Sequence, residues 1–254
     1  MSTRDFDGTY LAPLFELVEK LRGDGAYQPL PAPAPSSSLA ADEAPLGPWP
    51  ASHLIRTSYG AGLAHADALR RLAVAGEMDA TSPWTLMRGA LENFAAGIWL
   101  LDGSGRPERR WRALSLWAED MRNRAQHEQD TGHAPGPEGK TGLERRQEIR
   151  ALAEALGLPP LVAPKAHVIL EQAAPAAGLD PVAVRASWRA ASGFAHGRFW
   201  PYLRASQPRA AMETGDGYLV AMVVDESQHG PLARHCHTML CHLRDRYLAR
   251  AAVR

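Results

Sequence analysis

Lysine is nearly missing from this sequence: it occurs only at Lys20, Lys140 and Lys165, so 25 of the 28 basic side chains are arginine. Net charge is missing too, because 28 acidic residues balance the 28 basic ones. No overall field therefore draws the chain onto nucleic acid or an anionic membrane, and any polyanion site must be local. Cysteine is reduced to Cys236 and Cys241, close together on an expected helix where a disulfide would be strained, so free thiols are expected. Uninterrupted apolar runs of membrane length are absent: the best, Trp84 to Leu101, is broken by Arg88, Glu92 and Asn93. The start MSTRDFDGTY has no apolar signal core. A cytoplasmic protein without membrane contact is the expectation. Neither a glycine-rich phosphate loop after a strand nor an internal repeat occurs, so the usual nucleotide-fold signals are lacking.

What is present is helical spacing. Leu11, Leu14, Phe15 and Val18 predict a short amphipathic helix within residues 1–22. Residues 23–50, with the run PAPAPSSS, hold too little apolar surface to offset chain entropy and read as a Pro/Ser-rich linker or an arm laid over the body. The compact domain is expected over 51–254. Helices are predicted for Ser52 to Ala75, for Thr81 to Leu101, for Pro107 to Gln129, for Leu143 to Leu156 and for Lys165 to Gln172. Two more follow, from Pro181 to His196 and from Pro231 to Ala252. Thr81-Ser82-Pro83 and Asp180-Pro181 each place a cap residue ahead of a proline in the first turn. METGDGYLVAMVVDE, with a turn at Gly-Asp-Gly, predicts a small hairpin. The fold class is an all-α helical bundle with one small β-hairpin near the C-terminus.

Two of these helices are apolar almost all round, yet each carries one narrow polar line. At about 100° per residue counted from Arg185, Arg189 falls near 40°, Ser192 near 340° and His196 near 20°. On the helix of Trp84 to Leu101 the charged residues are Arg88 and Glu92, one turn apart, with Asn93 beside them. A charge in an apolar helix needs a partner or water, because burying it alone is expensive. The economical expectation is a shared cleft in which Arg88, Glu92 and Asn93 meet Arg189, Ser192 and His196.

RGALEN on one helix and SGFAHG on a later one resemble a group of bacterial helical proteins related to the HEPN superfamily. The resemblance spans roughly residues 51–200. HEPN domains are helical bundles, usually dimeric, many of them metal-independent ribonucleases or toxins of defence systems, with an arginine four to six residues before a histidine. Arg189, with six intervening residues before His196, fits that pattern. The resemblance implies a homodimer acting on RNA, or paired with an antitoxin-like protein, with no cofactor and no metal. Arg189 and His196 would be the central pair, Glu92 would orient His196, and Arg88, Asn93, Arg185 and Ser192 would contact substrate. RNA supplies its own nucleophile, so a histidine moving protons beside arginines that steady phosphate charge suffices for such chemistry.

Several alternatives stay open. RNRAQH, from Arg122 to His127, also matches the arginine-to-histidine spacing. The same cleft would serve a non-catalytic module that binds a partner protein or small ligand. RHCHTMLCHLRDR places His237 and Cys241 four apart, but no second ligand pair accompanies them, and no metal site is expected. The arginines of RPERRWR read as a solvated basic helix start, and the tryptophan stripe of Trp111 and Trp117 as packing.

Overall fold

A computed structural model describes residues 10–22, 28–132, 139–224 and 226–253, with the backbone alone for 206–211, 218–224 and 226. In chain order the helices are α1 (Ala12–Arg22), α2 (Ser38–Glu43), α3 (Ala51–Ala75), α4 (Ser82–Leu101), α5 (Arg106–Thr131) and α6 (Gly142–Ala155). Then come α7 (Ala166–Ala173), α8 (Pro181–Ala195), α9 (Phe199–Ala205) and α10 (His229–Ala251). Strands β1 (Ser206–Thr214) and β2 (Gly217–Val224) pair antiparallel as a hairpin between α9 and α10. The fold is a mainly all-α helical bundle. No helix among the described residues is long and apolar enough to cross a membrane.

α4 is the axis of the bundle, packed by α3, α10, α7 and α8. Twelve of its 20 residues are buried, which explains why its sequence shows no broad polar face. Its start differs from the expected Thr81 cap: Thr81 makes no side-chain cap bond. Asp79 takes that role, accepting from the amides of Thr81 at 2.6 Å and Ser82 at 2.8 Å. Burial pushes the Asp79 carboxyl up, but the hydrogen bonds from Ser82 and Thr81 outweigh it and bring it to about 2. α6 starts with a full capping box, Thr141 and Glu144 satisfying each other's backbone amides.

The core does not begin at Ala51. Leu11, Leu14, Val18 and Leu21 of the first segment and Leu30, Leu39, Leu46 and Trp49 of the proline-rich segment belong to the same buried cluster as α4. Residues 28–50 are therefore an arm laid over the body, and they contain α2, which local spacing does not reveal. Tyr247 donates to the Pro31 carbonyl at 2.7 Å, and the Ala34 amide donates to the Ala251 carbonyl at 2.9 Å.

The arm is fixed by ions as well as by apolar packing. Asp42 of α2, 3% exposed, accepts from Arg106 at 3.0 Å, from Arg109 at 2.6 and 3.1 Å, and from Arg250. Arg110 donates to the carbonyls of Asp42 at 2.9 Å and Ala41 at 3.1 Å. Burial pushes the Asp42 carboxyl up, and the hydrogen bonds and charges of Arg109 and Arg250 outweigh it, holding it below its ordinary range. The basic start of α5 is thus no solvated patch. Its arginines clamp the arm.

Candidate functional site

α8 is positioned by its own cap: Asp180 accepts from the amides of Val182 at 3.1 Å and Ala183 at 3.3 Å, with Pro181 in the first turn. Its apolar side, Val184, Ala191 and Phe194, is buried, with Phe194 stacked on Trp84 of α4 at 4.6 Å. That docking turns the flank of the polar line toward α4. The helix ends at Ala195, which leaves His196 as its C-cap, followed by Gly197 in the left-handed region at φ 62°. The Arg198 amide then returns to the Gly193 carbonyl at 2.8 Å, reversing the chain into α9.

α4 and α8 meet through a short polar chain. Arg88 Nε donates to Glu92 Oε1 at 2.8 Å, and Trp188 Nε1 of α8 donates to the same oxygen at 2.6 Å. The Arg88 guanidinium stands 5.9 Å from the Trp188 ring centroid, and its Nη1 lies 3.5 Å from His196 Nε2. A guanidinium N–H can only donate, so in that contact the Nε2 lone pair of His196 is the acceptor. At 3.5 Å the bond is at its outer limit, and the exposed ring keeps that edge open. The Arg88 and Glu92 side chains are 24% and 27% exposed, so this is a half-open pair at a cleft mouth and not a sealed ion pair.

The cleft gathers some of the expected residues and not others. Arg88, Glu92 and His196 come together. Glu92 reaches His196 only by way of Arg88, so it cannot orient the imidazole directly. Ser192 is half-buried between the Trp188 and His196 directions of α8. Arg189 is exposed, with no side-chain partner among the described residues. Arg185 turns instead to Glu171 of α7 at 2.8 Å. Asn93 bonds within its own helix, donating to the Gly89 carbonyl at 2.8 Å. Neither Arg185 nor Asn93 belongs to the polar chain.

The competing motifs are placed elsewhere. Arg122 is held by Glu119 through Nε at 2.9 Å and leans on Asn123 at 3.2 Å. His237 and Cys241 approach within 3.8 Å, but no group of three potential metal ligands forms among the described residues. Cys236 is buried, its thiol donating to the Met87 carbonyl at 3.4 Å and pushed far up by burial.

Sequence reasoning missed two contributors. Trp188 lies off the polar line of α8, yet its indole N–H fixes Glu92. Trp200 of α9 packs its six-membered ring edge against Gly193, where a Cβ would lie 3.2 Å from it and 2.4 Å from Pro201. The signal for the first was a lone carboxylate on an apolar helix, which demands donors from a neighbour. Compared with protein-family models, with curated proteins and with solved structures, the chain matches none of them.

Proposed function

We propose that the α4–α8 cleft cleaves RNA, with His196 as the proton-transfer group and with Arg88 and Arg189 as the cations that face phosphate. The observation that carries the reading is the 3.5 Å approach of Arg88 to the exposed His196, with Arg88 itself anchored by Glu92 and Trp188. The arginine-to-histidine spacing shared with HEPN ribonucleases supports the same assignment. In the step proposed, Arg88 turns its Nη1 from His196 to a phosphate oxygen, and the freed Nε2 takes the 2′-hydroxyl proton as O2′ bonds to the adjacent phosphorus. The bond from phosphorus to O5′ breaks, and the departing oxygen takes a proton from water. A 2′,3′-cyclic phosphate and a 5′-hydroxyl end result. Arg88 and Arg189 steady the extra charge on the phosphorus oxygens, and Glu92 acts as a positioning residue through Arg88.

A second reading, a non-catalytic module that binds a partner in this cleft, draws on one observation. Glu92 joins Arg88 to Trp188 and so ties α4 to α8 whether or not chemistry occurs. Induced expression of the wild type and of His196→Ala separates the two. Arrested growth with degraded RNA in the wild type alone is the expected outcome. On purified RNA the substitution should lower the cleavage rate by roughly 10²- to 10⁴-fold, the usual contribution of a proton-transfer group. Equal growth and intact RNA in both strains sink the nuclease reading.

A further inference from the structure

We infer that α9 and the end of α8 form a stacking platform for the bases of single-stranded RNA, beside the cleft that holds His196. The inference deepens the RNA reading of that cleft and takes its ligand class from it.

Three observations carry it. Between Asp180 and Glu213 the chain has no acidic residue but five arginines, in a sequence whose acidic and basic residues balance overall. Of these, Arg189, Arg198 and Arg204 are exposed and have no side-chain partner among the described residues. Their charge is unspent. Next, most of the large aromatic rings are turned inward, whereas Phe199 is 69% and Trp200 48% exposed, consecutive on α9 and flanked by Arg198 and Arg204. Finally, the platform is braced from below. Tyr202 packs on Phe194 at 4.8 Å, and Pro201 and Trp200 sit on Gly193, about 60° round α8 from His196 at helical spacing. The rings therefore stand beside the polar line.

Flat rings set between unpaired cations are the arrangement that holds single strands, because every base has a face to stack and every nucleotide a phosphate. A membrane is the poorer occupant, since α9 has only seven residues and buries Pro201 and Ala205. A second copy of this chain would bring the same unpaired arginines against themselves across a twofold contact.

The test uses the full chain carrying His196→Ala, so that bound RNA is not cut, and follows the anisotropy of a labelled oligouridylate. Binding should weaken roughly tenfold in Phe199→Ala and in Trp200→Ala, the scale of one lost base stack, and Phe199→Tyr should restore it. Arg198→Ala and Arg204→Ala should each lower the slope of log affinity against log salt by about 0.7. Phe199 is exposed enough that its substitution should leave the melting temperature unchanged, which separates lost binding from lost fold. Failure of the parent chain to bind overturns the platform, as does binding indifferent to both ring substitutions. So does a sedimentation change in Phe199→Ala with RNA affinity intact, which would make α9 a seat for a second copy. Tight, ring-dependent binding by a wild type that never cleaves RNA leaves the platform standing and removes the nuclease reading. Cleavage with ring-indifferent binding does the reverse.

Discussion

Arginines gather at two places in this molecule, and the two gatherings differ in what they face. Around α2, Arg106, Arg109 and Arg250 converge on the buried carboxylate of Asp42, while Arg110 covers two carbonyls next to it. On α8, on α9 and in the turn between them, Arg189, Arg198 and Arg204 are exposed and pair with no carboxylate among the described residues. The first group has its charge consumed by the fold, and the second retains it for a ligand. A run such as RPERRWR looks more basic than SWRAASGFAHGRFW, yet it offers an anion less. Local charge density in a sequence is a poor guide to binding until the acceptors supplied by the rest of the chain are known.

Breaking the clamp should give the largest effect. Asp42→Ala leaves several guanidinium groups crowded around a site with no counter-charge, and removing one partner of a buried ionic cluster costs about 3–5 kcal/mol. In a chain of this size that corresponds to a fall in melting temperature of roughly 10 °C or more. Residues 28–50 should become the first site of limited proteolysis. A loss under about 1 kcal/mol in urea unfolding would show that apolar packing of Leu39, Leu46 and Trp49 holds the arm unaided. Arg189→Ala provides the contrast, since an exposed side chain without partners among the described residues should change stability by no more than about 0.5 kcal/mol.

The other side of the comparison is sharpened at Gly193. Its Cβ position is occupied by Pro201 and Trp200, so Gly193→Ala must push α9 outward. Overpacking of this kind costs about 1–3 kcal/mol, and the rings of α9 should lose their register with His196. Stability that falls while RNA affinity holds would mean that α9 need not sit against α8 to bind.

Acid acts on the clamp in a defined order. Burial pushes Glu43 above its ordinary 4.5, only partly offset by hydrogen bonds from Ser52, whereas Asp42 lies below its ordinary 3.8. A raised carboxyl costs stability when ionised, so acidification from neutral pH first favours the folded state as Glu43 gains its proton. A depressed carboxyl stabilises above its unfolded value, and that contribution is lost as the pH falls through the folded value. The clamp's contribution to the unfolding free energy should therefore hold or rise slightly toward pH 4.5 and drop below 3.8, and Asp42→Asn should remove that part of the drop while leaving the part due to Asp79, which lies at about 2. Carboxyl NMR titration checks the order directly, with Glu43 above Asp42.

How much of this could be read in the sequence depends on the range of the interaction. α4 and α8 announce themselves through prolines in the first turn and through apolar residues all round, and the Gly-Asp-Gly turn announces the hairpin. The meeting of Arg88, Glu92 and His196 also follows from local facts, because isolated charges on buried helices must find one another. α2 does not. It has six residues in a proline-rich stretch, and Asp42 finds its arginines 64, 67 and 208 positions away. The misplacement of Arg185 and Asn93 has a related cause. Angular position fixes the direction of a Cβ, but a long arginine chooses among neighbours, and Arg185 takes Glu171 on α7. Asn93 lost its place to a backbone carbonyl one turn away, a bond that no count of charges anticipates.

The smallest expected effect is the cleanest test of the comparison. Arg122 and Arg189 are both exposed arginines that precede a histidine at the same class of spacing, and they differ in one respect: Glu119 holds Arg122 in a two-pronged ion pair. An exposed pair of this kind contributes little to the fold, so Arg122→Ala should leave melting and RNA cleavage unchanged. It should also leave the salt dependence of RNA binding where it was, because the cation was already neutralised by its own helix. Arg189→Ala should leave melting unchanged as well but lower the salt slope by about 0.7. The two substitutions remove the same charge from the same net total. A difference between their slopes therefore reports where on the surface the phosphates lie, and equal slopes would place the phosphates elsewhere than on α8.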